Sequence, residues 1–132
     1  MKALDTNVLV RFLVKDDEQQ AKAVYRKFKQ IEDNKEVLFI PVPVVLETIW
    51  VLESVYEVTR QEILDSVDDL LLMPILDFEA QSAIRNFVSS AREDKGDLSD
   101  MFIGHHAKYL GCDSVITFDK RASKLGLFEL LK

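Results

Sequence analysis

The chain has 132 residues, 48% of them hydrophobic and 30% charged, which suits a single globular domain spanning 1–132 with a real core and no linker, repeat or low-complexity tract. A formal charge of −6 argues against a non-specific nucleic-acid binder, although a global charge says little about one cleft. The single cysteine, Cys112, excludes an internal disulfide and a Cys-rich zinc site, so a reducing, cytoplasmic setting is expected.

Lys2-Ala3-Leu4 is a short apolar strand that Asp5 ends, too early for a signal-peptide core. Thr6-Asn7 then turn into the buried helix Val8–Val14, with Asp5 or Thr6 placed to cap it. Asp16-Asp17-Glu18 opens a second helix with acids where the dipole favours them. Its apolar stripe is Ala21, Val24, Tyr25, Phe28 and Ile31, and Lys22, Arg26 and Lys29 form a basic stripe on another face. Such a stripe is most often a solvated surface and less often a phosphate track.

Glu36–Ile40 reads as a buried strand ended by Pro41, and Pro43 suits the first turn of a helix running to about Tyr56. The surrounding apolar run, Val37–Leu46, is ten residues with two prolines, too short to cross a bilayer, and no membrane association is expected. Glu47 has Val44, Trp50 and Val51 as helical neighbours, which puts a carboxylate on an apolar stripe where it needs a partner. Thr59-Arg60-Gln61-Glu62 is a capping box that starts a helix with Ile63, Val67, Leu70 and Leu71 on one face.

Met73–Leu76 reads as another strand, and Glu79–Arg92 as a core helix with Ala80, Ala83, Ile84, Phe87, Val88 and Ala91 at helical spacing. The charged turn Arg92–Gly96 leads to a helix from Leu98 to about Leu110, with Met101, Phe102, Ile103, Ala107 and Leu110 inward and Gly111 as its stop. His105 and His106 are adjacent and diverge, so they are not a spaced metal pair. Ser114–Phe118 is a β-branched strand ended by Asp119, and Phe128–Leu131 is a final edge strand.

Strands alternating with helices predict an α/β domain with a mainly parallel sheet, whose sites lie at the carboxyl ends of strands. Asp5 and Asp119 end strands, Asp97 and Asp100 begin a helix three residues apart on one face, and Glu47 sits on a helix. Locally Asp97 also reads as a helix cap. If these acids share one pocket, their mutual repulsion calls for hard divalent cations, Mg²⁺ or Mn²⁺. The corresponding chemistry is metal-assisted hydrolysis of a phosphodiester.

Asp5-Thr6-Asn7, the isolated Glu47, Asp97-x-x-Asp100 and Thr117-Phe118-Asp119, in that order, resemble PIN-domain ribonucleases, most closely the VapC-type toxins of toxin–antitoxin pairs. The resemblance covers almost the whole chain. It implies a PIN-like three-layer α/β/α sandwich with a short, mainly parallel central sheet, and Mg²⁺ or Mn²⁺ held by an acidic cluster. Carried over, Asp5, Glu47, Asp100 and Asp119 are the catalytic acids and metal ligands, with Asp97 an auxiliary ligand. Thr6 and Asn7 would orient Asp5, and Thr117 would stand beside Asp119. The resemblance also implies an RNA substrate, homodimers and a VapB-like antitoxin that plugs the site. Lys22, Arg26, Lys29, Lys120 and Arg121 are weaker candidates for RNA phosphates. The run Leu98-Ser99-Asp100-Met101 departs from the small or aromatic residue and following Ala usual in the family, which bears on the pocket wall and substrate preference.

Two other readings stand beside this one. A catalytically silent PIN-like module would bind RNA or protein with or without Mg²⁺ and leave RNA intact. A receiver-type signalling module would want an acid pair after its first strand, where this chain has Asp5 alone.

Overall fold

A computed structural model describes residues 1–132, with six α-helices and five short strands. The chain divides into two units, Met1–Glu79 and Ala80–Lys132.

In the first unit, β1 (Lys2–Ala3), β2 (Leu38–Ile40) and β3 (Leu76–Phe78) form a parallel sheet in that order, with Leu38 opposite Leu76 and Ala3 opposite Phe39. Parallel neighbours need long crossovers, and each here is a pair of helices. The first pair is α1 (Thr6–Leu13) and α2 (Glu18–Asp33); the second is α3 (Val42–Ser54) and α4 (Arg60–Leu71). Leu9, Leu38, Ile40, Ile49, Leu52, Ile63 and Leu64 are the largest fully buried side chains of this core.

The capping box at Thr59 operates, and Asp17, expected only as a dipole-favoured acid, is a cap as well. The Asp17 carboxylate accepts from the Gln20 N–H at 3.0 Å, and the Thr59 hydroxyl accepts from the Glu62 N–H at 3.3 Å. Tyr25 differs from expectation: it is 45% exposed at the edge of the α2 stripe, against Phe12 at 5.6 Å with the Lys15 ammonium 5.1 Å from its ring.

The third strand lies at 76–78 rather than 73–76. Main-chain bonds from Met73 N–H to Leu70 and from Leu76 N–H to Met73 curl that stretch into turns, and Pro74 has no N–H to give a ladder. Leu76-Asp77-Phe78 then alternates buried, exposed, buried. The next helix accordingly begins at Gln81, not Glu79, after Ala80 in the left-handed region at φ 57°. The Glu79 carboxylate instead accepts from the Val42 N–H at 2.8 Å and caps α3, whose N-cap Pro41 has no side-chain acceptor.

In the second unit, α5 (Gln81–Glu93) and α6 (Leu98–Tyr109) are joined by four residues into a helical hairpin, with Phe87 and Phe102 edge to face at 5.3 Å. β4 (Val115–Thr117) and β5 (Phe128–Leu130) pair in parallel around a 3₁₀ turn at Ala122–Leu125. Every strand pairing is thus parallel, but the strands divide between a three-stranded and a two-stranded sheet. The inward face of α6 is Leu98, Met101, Phe102 and Gly104. Ile103 and Leu110, expected inward, are 42% and 65% exposed, and Ala107 is half-buried. Gly111, at φ 94°, ends the helix where only a glycine is unstrained.

Candidate metal centre

Asp97, Asp100 and Asp119 line one cleft of the second unit, about 770 Å³ in volume. Local bonding fixes each of them. Asp97 is the N-cap of α6, its Oδ2 accepting from the Asp100 N–H at 3.0 Å. Asp100 therefore sits in the first turn of that helix, half-buried. Asp119 follows β4; its N–H donates to the Thr117 hydroxyl at 3.0 Å, and its Oδ1 accepts from the Arg121 and Ala122 N–H groups at 2.8 and 3.4 Å. Asp97 and Asp119 each commit one oxygen to the backbone and keep a second.

Burial, then the charges of Asp97 and Asp119, push the Asp100 carboxyl above the usual carboxylate range. The same cleft is lined by Lys95, Arg121 and Lys124, so three acids face three bases. Of the basic residues proposed after β4, Arg121 joins this lining and Lys120 does not.

In the first unit, Asp5 is the N-cap of α1 directly after β1, exposed, with its Oδ1 accepting from the Thr6 N–H at 2.7 Å. That contact comes from the backbone. The Thr6 hydroxyl is buried without a partner, so the Thr6 side chain does not orient Asp5. Asn7 lines a groove with Arg11 and Gln20. Glu47 stands mid-way along α3 and is exposed. Its apolar neighbours are real but outward: Trp50 is 53% exposed, while the buried stripe is Val42, Val45, Thr48, Ile49 and Leu52. No burial penalty therefore falls on Glu47. On α2, Lys22 and Arg26 are exposed, and Lys29 pairs with Glu32 and Asp33 at 3.4 and 3.3 Å, which is the solvated-surface arrangement.

Comparison with known proteins gives a consistent assignment. The PIN domain family matches residues 2–127. The chain belongs to the PIN domain family. A VapC ribonuclease of Aquifex aeolicus (strain VF5) is 30% identical over 126 residues, which is 96% of this chain and 93% of that protein. No solved structure matches significantly. Membership brings the α/β PIN fold, a three-layer α/β/α sandwich with a short parallel sheet.

PIN-domain VapC nucleases generally use divalent metals. The donor set of this PIN chain's cleft fits one. It offers carboxylates and no His or Cys, which suits a hard cation and argues against zinc. Burial is the first cause that raises Asp100, and the second, the charges of Asp97 and Asp119, is what a bound cation would relieve. The carboxylates do not form a preassembled set of three ligands, in keeping with their repulsion and with the oxygens given to the backbone.

The sequence left Lys95 and Lys124 unassigned. Lys124 lies three residues beyond Arg121, a spacing that returns it to the same face of a helical turn. Lys95 sits in the charged loop before α6, where no periodicity marks it.

Proposed function

We infer that the chain is a Mg²⁺- or Mn²⁺-dependent endoribonuclease, the toxin of a VapBC-type pair, which hydrolyses RNA phosphodiester bonds and so inhibits translation and growth. The observation that carries this reading is the mixed cleft: Asp97, Asp100 and Asp119 with Lys95, Arg121 and Lys124, in a PIN chain similar to a VapC ribonuclease. Carboxylates suit a cation and the basic rim suits a phosphate, so one cleft suits both parts of the reaction.

Asp100 and Asp119 are assigned as metal ligands here, joined by Asp5 and Glu47 through their place in the family motif. Asp97 supports them as helix cap and auxiliary ligand. When bound, the ion supplies a water of lowered pKa and offsets charge developing on the phosphoryl oxygens. Lys95, Arg121 and Lys124 hold the phosphates on either side of the scissile bond and draw the chain into an otherwise acidic protein. Thr117 and the Arg121 and Ala122 amides keep the Asp119 carboxylate in one orientation. Residues 1–132 act as a single PIN-like domain, working as a homodimer in the cytoplasm. The protein is held in check by a VapB-like antitoxin that covers this cleft. No helix is long and apolar enough to cross a membrane.

The test is cleavage of total cellular RNA by the purified, antitoxin-free protein with Mg²⁺ and with EDTA, beside Asp100→Asn. Discrete fragments that require Mg²⁺ and disappear in the variant are expected. Intact RNA from folded, metal-loaded protein would replace this reading with that of an RNA- or protein-binding module.

A further inference from the structure

The α5–α6 hairpin carries another cavity, of about 500 Å³, separate from the acidic cleft. Its first residue on α6, His105, lies five positions beyond Asp100, about 140° round the helix and roughly 7.5 Å along it. Two triplets of matching spacing form the walls: Asn86, Ser89 and Ser90 on α5, and His105, Lys108 and Tyr109 on α6. The i, i+3, i+4 pattern puts each triplet on one helix face.

All six side chains carry hydrogen-bonding groups, none is a carboxylate, and one is an ammonium. That lining is unusual in a chain of net charge −6. His105 Nε2 is shut off from solvent and has no hydrogen-bond partner in the fold. Burial, and then Lys108, hold the imidazole below its ordinary pKa, so at neutral pH it offers a donor and an acceptor rather than a charge. Asn86, Ser89 and Lys108 are exposed and reachable, and Tyr109 is 52% exposed.

One cation among neutral donors matches a monoanion. Lysine, serine, asparagine and tyrosine are the usual partners of nucleic-acid phosphates, and an exposed tyrosine ring is a stacking surface for an unpaired base. A divalent metal finds a single imidazole here, and an apolar peptide finds no aliphatic wall. A dianionic phosphomonoester would call for more positive charge.

We propose that this cavity is a second RNA subsite, in which Lys108, Ser89, Ser90 and Asn86 hold an internucleotide phosphate of a single strand and Tyr109 stacks its neighbouring base. The subsite rests on the RNA reading above. It adds a contact away from the bond that is cut, and so a handle on how the strand is threaded.

The test uses a fluorescent single-stranded oligoribonucleotide in EDTA, titrated at several salt concentrations with wild type, Lys108→Glu, Lys108→Arg and Ser89→Asp. Circular dichroism confirms that each variant is folded. Lys108→Glu and Ser89→Asp are expected to bind about tenfold more weakly, and Lys108→Arg within about threefold of wild type. The slope of log affinity against log salt should fall by about 0.7 in Lys108→Glu, one phosphate on a single strand. RNA should also shift the His105 imidazole resonances of wild type. Unchanged affinity and salt slope in Lys108→Glu overturns the subsite, as does wild type that fails to bind in EDTA. Mg²⁺-dependent cleavage persisting in either case leaves the nuclease reading standing. Loss of binding in step with dissociation of a dimer in sedimentation would mean that this face joins two copies, which also overturns it.

Discussion

The main-chain N–H of Asp100 donates to the carboxylate of Asp97 at 3.0 Å, so one acid of the cleft fixes the backbone that presents the other. Capping and charge are separable by substitution. Asparagine caps a helix about as well as aspartate, whereas alanine loses about 1 kcal/mol. Asp97→Ala is expected to be destabilised by about that amount in denaturant unfolding, and Asp97→Asn by no more than about 0.3 kcal/mol. RNA cleavage should fall about tenfold in both, because both lack the charge (a change of about 1.4 kcal/mol). Full activity in Asp97→Asn would restrict Asp97 to its structural role.

Asp100 is held above the usual carboxylate range by burial first and by Asp97 and Asp119 second, so its ionised form is disfavoured in the metal-free fold. Asp100→Asn should therefore leave the metal-free melting temperature unchanged or slightly raised. Mg²⁺ should stabilise wild type, by about 2.7 kcal/mol at a hundred times its dissociation constant, and stabilise the variant far less. A Mg²⁺ titration of the melting temperature checks this without measuring any activity. Equal shifts in the two proteins would mean that these acids do not hold the ion.

Glu79 tests a contact between residues 37 positions apart, its carboxylate accepting from the Val42 N–H at the start of α3. Glu79→Ala leaves that amide without its acceptor, and a loss of about 1 kcal/mol is expected. Glu79→Gln keeps an acceptor but loses the favourable charge at the helix dipole and should fall between the two. Denaturant midpoints at constant m-value are the measurement, and a Glu79→Ala protein as stable as wild type would refute the cap.

Glu79 also marks where the sequence ceases to be legible. Features whose partners are local are legible: Thr59 caps the helix it precedes, and Ala83, Ile84, Phe87, Val88 and Ala91 are all buried at helical spacing. Glu79 looks like the first residue of the helix after it, and only the fold brings it to a helix far earlier in the chain. The third strand moved from 73–76 to 76–78 because main-chain turns around Pro74, which no side-chain pattern reports, occupy the first three residues. The Asp97–Asp100 pairing was visible because both residues belong to one helical turn. Glu47 shows the converse error: a carboxylate among apolar neighbours looked buried, but the side of α3 that it shares with Trp50 faces water. Lys95, in a loop without periodicity, joins the cleft through the fold alone, whereas Lys124 is carried there by the turn that also carries Arg121.

Gly104 sits where α6 meets the C-terminal segment. A methyl group there would lie 2.8 and 2.9 Å from Leu127 Cδ1 and Cβ and 3.1 Å from Phe128 Cε2. Alanine gains about 1 kcal/mol of helix propensity over glycine, but overpacking costs about 1–3 kcal/mol. Leu127 Cβ cannot swing aside as a side-chain tip can, so the packing term should win, with Gly104→Ala destabilised by about 1 kcal/mol net. At Gly96 the added methyl meets only the flexible end of Leu125, and the penalty should be smaller. Equilibrium unfolding of the two variants side by side checks the order, and a more stable Gly104→Ala would show that the C-terminal segment yields freely.

His105 should make stability depend on pH in a range where few other groups titrate. Burial, and then Lys108, depress its folded-state pKa below the ordinary 6.5. The unfolded chain therefore takes up a proton first as pH falls. The contribution is fully present above 6.5 and is lost as pH drops through the depressed folded value. Across the cavity, α5 presents an amide and two hydroxyls, none of which is ionisable in this window, and Lys108 is the charged neighbour on α6 itself. Wild type should thus lose stability between about pH 7 and pH 5 more steeply than His105→Gln, which has no proton to gain. Unfolding free energies measured at half-unit intervals decide it. Parallel curves would mean that the imidazole charges as easily in the fold as in the open chain, whereas a shallower curve for His105→Gln would tie the acid sensitivity to the α5–α6 cavity.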